Sequence, residues 1–449
     1  HMKIIIAGAG DVGFHLAKLL SYESQDTYII DFDGDKLEYL NNHLDVITKK
    51  GDATSIKLLK ELGIDSADLL IAVTDSQNTN FTISVIGKSL GAKKTIARID
   101  NSEFLNDCEV DFQKFGLDFM ISPQELAANE IKMLLNQSSF NDTVAFESGV
   151  FNVMGTPLAY NSPILDLTVS EAKQQFPNVD FITIAIKRQG VSQTIIPRGD
   201  TTYQLNDQVY FCVPNYSMKD LYPIIGKKQF TIKNVMILGG SSIGKKTARN
   251  LCKDNFRVKL IEKNRTKAEL LAEELNNTLV INGDGRDLEL LEEENIRETD
   301  AFIAVTDNSE TNIMSCLLAK SKGVKKTIAL VENMDYFALS HSIGVDTLIN
   351  KKLLAANSIF RYVRKGEVVA MTKLTNMEAE LLEFIVKPTS KICYQYIKEI
   401  DFPRAAIIGG VIRNEEGIIA LGDFKIEAGD RVVVCCLPEA IKKVESLFF

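Results

Sequence analysis

The chain has 449 residues, is 45% apolar and 25% charged, and carries a formal net charge of −9. That length is too great for one core and calls for about three or four domains, while the acidic balance leaves no basic footprint for nucleic acid. No apolar run approaches the ~18 residues of a membrane-spanning helix, and the seven scattered cysteines, with no C-x-x-C pair, read as a reduced chain without structural zinc.

His1-Met2 reads as a cloning scar, with the natural start at Met2 and no signal peptide. Lys3–Ala7 is a short apolar run without alternation, expected of a strand buried on both faces of a parallel sheet. It runs into Gly8, Gly10 and Gly13, spaced G-x-G-x-x-G, and then into a helical pattern from Val12 to Leu20. A second strand, Tyr28–Phe32, carries Asp31 eighteen residues after the last glycine. In such a unit the first glycine allows a tight turn, the second admits a pyrophosphate to the backbone, and the third lets helix and strand pack closely. The helix start offers free N–H groups to phosphate. An acid at Asp31 accepts from ribose hydroxyls and repels a 2′-phosphate, which favours NAD or an adenosine nucleotide over NADP.

Strands are then expected at Val46–Thr48, Leu69–Val73, Thr95–Ile99 and Phe119–Ile121, alternating with helices at Ile56–Leu62 and Thr79–Leu90 and closed by a helix at Pro123–Leu135. This alternation predicts a doubly wound parallel sheet. From Thr143 the pattern changes to short strands, Val144–Met154, Phe181–Ile186, Ser192–Ile196 and Gln208–Val213, with one short helix at Ser170–Phe176. That is a small α+β module. Asp220–Thr231 reads as a linker.

The chain then repeats itself. GAGDVG at Gly8–Gly13 meets GGSSIG at Gly239–Gly244, and Asp31 meets Glu262, both at a shift of 231. GDAT at Gly51–Thr54 meets GDGR at Gly283–Arg286, and AVTDSQNTN at Ala72–Asn80 meets AVTDNSETN at Ala304–Asn312, both at 232. A second small module follows from about Gly366, where GDFKIEAGDRVVVCCLP at Gly422–Pro438 resembles RGDTTYQLNDQVYFCVP at Arg198–Pro214. The expected architecture is α/β, a tandem duplication of a Rossmann-like doubly wound domain followed by a small α+β domain. The expected boundaries are 2–136, 140–220, 230–362 and 366–449. Of the adjacent Cys435 and Cys436, one is expected to face in and the other out.

With GAGDVG, IID, GDAT, AVTD and IAR recurring in this order, the whole chain resembles the TrkA family, cytoplasmic regulators of Trk/Ktr-type potassium-uptake channels built of RCK domains. The resemblance implies an adenine dinucleotide, NAD(H), or ATP/ADP at Gly8, Ala9, Gly10, Asp11, Val12, Gly13 and Asp31. It adds Asp52, Ala53 and Thr54 near the adenine, and Val73, Thr74, Asp75 and Arg98 at the carboxyl edge of the sheet. Plainer roles stand beside these: Thr74-Asp75 as a helix cap, Arg98 in a surface ion pair, Asp52 as a turn residue, and Glu125 complementing a helix N-terminus.

In the second copy the corresponding residues are Gly239, Ser241, Gly244, Glu262, Asp284 and Thr306. Ser241 replaces the phosphate-facing glycine, so the second site is expected to be weaker, altered or vacant, with Lys245 and Lys246 available to offset the loss by charge. An NAD-dependent oxidoreductase is the rival reading. It needs an acid/base group within reach of a substrate, and His15 and His43 lie on helices away from the expected nicotinamide end, while His341 follows a helical stretch in the second copy with no partner expected beside it. The expectation is therefore a sensor and not an enzyme. The resemblance further implies a homotetramer whose eight Rossmann units form a ring beneath a dimeric membrane channel, with the helix Pro123–Leu135 as a hinge.

Overall fold

The computed structural model describes residues 2–21, 26–105, 109–136, 139–145, 150–333, 336, 339, 343–364, 370–373 and 378–449. His341 and the start of the last module at Gly366 lie outside them. Strands β1 (Lys3–Ala7), β2 (Asp26–Asp31), β3 (Ile47–Lys50), β4 (Leu69–Ala72), β5 (Lys94–Arg98) and β6 (Phe119–Ile121) form a parallel sheet in the order β3-β2-β1-β4-β5-β6. The unbroken apolar runs arise because helices cover both faces. Ile4 and Ile6 pack with Leu16 of α1 (Asp11–Ser21) and Leu37 of α2 (Gly34–His43). Ile5 and Ala7 pack with Leu59 of α3 (Ile56–Glu61) and Ile83 of α4 (Gln77–Ser89). The chain reverses direction across the sheet between β1 and β4, and ligands of such sheets bind outside the strand carboxyl ends at that point.

Helix α5 (Pro123–Asn136) leads to an antiparallel sheet of β7 (Asp142–Ala145), β8 (Phe151–Pro157), β9 (Ile182–Lys187) and β10 (Gln208–Pro214), with α6 (Val169–Gln175) between β8 and β9. The expected single strand Val144–Met154 is two strands, β7 and β8, paired antiparallel. Ser192–Ile196 is not a strand: only Ile195 bridges, to Ile186. The expected linker opens on α7 (Leu221–Ile225), whose Leu221, Ile224 and Ile225 are buried.

The second parallel sheet contains β11 (Asn234–Leu238), β12 (Arg257–Glu262), β13 (Thr278–Asn282), β14 (Ala301–Ala304), β15 (Lys326–Leu330) and β16 (Thr347–Ile349), in the order β13-β12-β11-β14-β15-β16. Its helices are α8 (Ser242–Lys253), α9 (Arg265–Glu274), α10 (Leu288–Glu293), α11 (Ser309–Ser321) and α12 (Lys351–Arg364), the last running past the expected end at 362. A five-stranded sheet follows, of β17 (Ala370–Lys373), β18 (Glu380–Ile385), β19 (Ala406–Arg413), β20 (Glu416–Ile418) and β21 (Arg431–Cys436), closed by α13 (Ile441–Phe448). Among the described residues no helix is long and apolar enough to cross a membrane.

The two copies exchange their last Rossmann helices. Ala127, Ile131 and Leu134 of α5 pack into the core of the second parallel sheet with Ile243 and Leu251. Ala355, Ile359 and Val363 of α12 pack with Leu16 and Leu20 of the first. The expected hinge is therefore a helix seated on the other copy. The two antiparallel sheets also share one core, where Ile184 and Cys212 meet Val433 and Cys435. Cys436 points to the opposite face, toward α13, so both adjacent cysteines are buried and neither faces out.

Glu130 of α5 is pushed up to about 8 by burial first and by Asp142 second, with Arg361 pulling the other way. A carboxyl that keeps its proton when folded, yet ionises near 4.5 when unfolded, makes the native state bind more protons between those values. Stability should therefore fall as pH rises through that window. Urea midpoints at about pH 5 and about pH 8 check this, and Glu130→Gln should flatten the difference.

Candidate functional site

Gly8 has φ +115°, and its N–H donates to the Ile30 carbonyl across the sheet. A Cβ on Gly13 would lie 1.9 Å from the Gly8 carbonyl oxygen, so helix and loop meet only because no side chain intervenes. At Gly10, by contrast, a Cβ would meet nothing within 4 Å. The protein's own packing requires glycine at positions 8 and 13 and makes no such demand at 10.

Asp31 ends β2 beside this loop. Its Oδ2 accepts from the Ala9 N–H at 2.7 Å and its Oδ1 from the Asp33 N–H at 2.8 Å. The carboxylate thus ties the glycine loop to the start of α2, and each oxygen retains a lone pair for a further donor. Ala9, Val12, Ala53 and Val73 are buried in the core, leaving them only backbone atoms to offer a ligand. Asp11, in the first turn of α1, pairs with Lys352 of α12 at 3.1 Å and so joins the two copies.

Asp52 Oδ1 accepts from the N–H and the hydroxyl of Thr54, and these bonds hold its carboxyl below the usual range. The expected capping role of Thr74-Asp75 belongs instead to Ser76, whose hydroxyl accepts from the Thr79 N–H. Thr74 donates to the buried Asn80, whose amide group donates to the carbonyls of Thr74 and Arg98 and ties β4 to β5. Asp75 is 97% exposed and 3.9 Å from Arg98. Arg98 itself is only 8% exposed and donates to Asp100, so the expected ion pair is present but is made by a buried arginine reaching to carboxylates at the surface.

The second copy repeats this frame. Gly239 has φ +108°, and a Cβ on Gly244 would sit 2.0 Å from the Gly239 carbonyl oxygen. Glu262 spans the same gap as Asp31, accepting from the N–H groups of Gly240 and Asn264. Thr306 donates to Asn312 as Thr74 does to Asn80. Ser241 caps α8: its hydroxyl donates to the Val305 carbonyl and accepts from the Gly244 N–H. The side chain that replaces glycine is thus turned into the loop, where it takes up one of the helix-start donors.

Around these residues lies a cleft of about 420 Å³ lined by Gly239, Ser241, Glu262, Asp284 and Thr306 among others. Lys245 and Lys246 do not serve it, being paired with Glu274 and Glu125. That pairing also gives Glu125 a partner on the other copy, beyond its place in the first turn of α5. The cleft's cations are Lys263, Lys267 and Arg286, which the sequence reading did not single out. Lys263 follows Glu262 directly, and Arg286 closes the GDGR segment where the first copy has Thr54. Arg286 grips Asp284 through both carboxylate oxygens and holds that acid down to about 2.

Comparison with known proteins agrees with the duplicated frame. The TrkA-N domain matches residues 4–123 and 235–351, and the TrkA-C domain matches 381–448. Among solved structures, the GsuK channel superposes with a TM-score of 0.60 at 15% identity, covering 99% of this chain and 78% of that one. The GsuK channel bound to NAD gives 0.58 at 15%, over 100% of this chain and 79% of the other. The Trk system potassium uptake protein TrkA of Vibrio alginolyticus is 34% identical over 454 residues, covering all of this chain and 98% of that protein. The TrkA homolog of Archaeoglobus fulgidus is 32% identical, with both chains covered in full. With the domain matched twice and relatives aligned from end to end, the chain belongs to the TrkA family.

Proposed function

We propose that the chain is a cytoplasmic, nucleotide-sensing regulatory subunit of a Trk-type potassium-uptake channel, with NAD(H) or ATP/ADP seated at Gly8–Gly13 and Asp31. Gly10 carries this reading. It is a glycine that no packing contact among the described residues requires, at the start of a helix beside an acid, where a diphosphate would approach the backbone. The NAD-bound form of the GsuK channel points to NAD(H) as the first ligand to test. Asp52, Thr54, Thr74, Asp75 and Arg98 complete the proposed first site, and Gly239, Ser241, Glu262, Asp284 and Thr306 the second. The first is the stronger for phosphate, because Gly10 caps α1 without a side chain to compete for the first-turn amides, as Ser241 does in α8.

On this proposal the units are 2–136, 140–220, 230–362 and 366–449, and four chains form the ring that meets the channel on the inner face of the membrane. Ligands shift such an assembly by their difference in affinity between its states. The proposal is of a sensor and not of an oxidoreductase. His43 is exposed with Nδ1 against the Tyr39 carbonyl, and His15 lies on α1 edge-on to Phe14. Oxidation of NADH with any small carbonyl substrate would overturn it.

Calorimetric titration with NADH, ATP and ADP tests the site. Asp31→Ala removes two loop-holding bonds together with the ribose acceptor and should weaken adenine nucleotides about 10–100-fold, the range for hydrogen bonds to a charged group. Unchanged affinity would sink the assignment.

A further inference from the structure

A larger cleft, about 1190 Å³, opens between the first antiparallel sheet and the β15–β16 edge of the second parallel sheet, apart from both glycine loops. Its walls are joined by two hydrogen bonds across the junction, Lys326 to the Phe140 carbonyl and Thr347 to the Asn141 carbonyl. The lining is strongly basic in a chain whose overall charge is −9. Two of its cations are neutralised in place: Arg188 by Asp207 and Lys320 by Asp346. Lys187, Lys227, Lys228, Lys325 and Lys326 remain, against a single further acid in the lining, Asp142, which accepts from the Tyr210 hydroxyl.

The placement of these lysines is costly. Lys326 is 2% exposed, whereas its counterpart Lys94 in the first copy is exposed. Burial pulls Lys326 down to about 8, while Asp346 and Asp142 pull the other way and Lys227 and Lys320 repel it. Lys227 is likewise lowered by burial while it donates to Thr156. Like charges gathered in a crevice focus a positive field and attract anions, and an anion with several charged oxygens would meet these ammonium groups with charge-assisted bonds.

We propose that this cleft binds a soluble anion carrying two or more phosphate groups, held between Lys227 and Lys228 on one wall and Lys325 and Lys326 on the other. Because the two walls belong to different copies of the repeat, the bound anion ties the first antiparallel sheet to the second parallel sheet. It thereby favours whichever state of the assembly keeps them together. The proposal is independent of the nucleotide reading of the glycine loops.

The test is calorimetric titration of the full chain with sodium tripolyphosphate, in which charge changes at the cleft lysines separate binding there from binding at the glycine loops. Saturable binding is expected, weakened at least about tenfold in the double variant Lys228→Glu/Lys325→Glu, which changes two exposed side chains. The milder Lys228→Gln/Lys325→Gln should show a smaller loss in the same direction. Absence of tripolyphosphate binding, or binding indifferent to both variants, overturns the proposal. So does lysine-dependent co-sedimentation with phosphatidylglycerol vesicles without tripolyphosphate binding, which would assign the cleft to a lipid headgroup.

Discussion

Gly13→Ala should destabilise the protein by at least about 3 kcal/mol, whereas Gly10→Ala should leave stability nearly unchanged and weaken nucleotide binding instead. The added methyl at position 13 would lie 1.9 Å from the Gly8 carbonyl oxygen, a backbone atom held by the Gly8 N–H bond to Ile30. Relief requires α1 to back away from β1, which opens the core around Ile6 and Leu16. The higher helix propensity of alanine, about 1 kcal/mol over glycine, does not offset that. At position 10 the same methyl has open space among the described residues, so it would obstruct the proposed ligand and not the fold. Chemical denaturation and NADH or ADP titration of the two variants separate the roles. Equal loss of stability in both would show that the loop glycines serve packing alone.

Much of the fold is legible because its information is local. The runs Lys3–Ala7 and Leu69–Ala72 announce buried parallel strands, and a repeat at shifts of 231 and 232 announces two copies. Partnership between copies is not local. The apolar face of α5 is visible as periodicity, but nothing in that periodicity tells whether Ile131 and Leu134 pack on their own sheet or the other. The same limit misleads at Cys435-Cys436, since a strand that packs on the facing antiparallel sheet and on α13 has no outward side.

Of the candidate site, Gly8, Gly13 and the acids at 31 and 262 could be read off because the loop itself restricts what stands there: no Cβ fits at 8 or 13, and an acceptor must tie the loop to the next helix. Lys263 and Arg286 could not, since exposed cations are common and only the cleft gives them a shared target. The capping reading of Thr74 fails for a related reason. A threonine before a helix suits a cap or a clamp equally well, and the buried Asn80 decides between them.

Asp207→Ala should cost about 3–5 kcal/mol, and Asp430→Ala a similar amount, because each removes the anionic half of a buried ion pair. Asp207 is fully buried; it receives Arg188 through Nε at 3.1 Å and a terminal nitrogen at 3.0 Å, and also the Gln204 N–H. Asp430 receives Arg413 in the same fork at 2.8 and 2.7 Å, with the Glu427 N–H beside it. Each aspartate follows a residue of positive φ, Asn206 or Gly429, and each closes the turn before an interior strand of its sheet, β10 or β21. The first antiparallel sheet thus carries the same device as the second, although the TrkA-C match covers only 381–448. Since the two pairs share no partner, their losses should add in the double variant, read as urea midpoints at constant slope. Arg188 also lines the basic cleft, so Asp207→Ala frees one more cation there. At equal occupancy of folded protein it should tighten tripolyphosphate binding while Asp430→Ala leaves it unchanged. A stability loss without that difference in affinity would confine Asp207 to a structural part and take Arg188 out of the anion's reach.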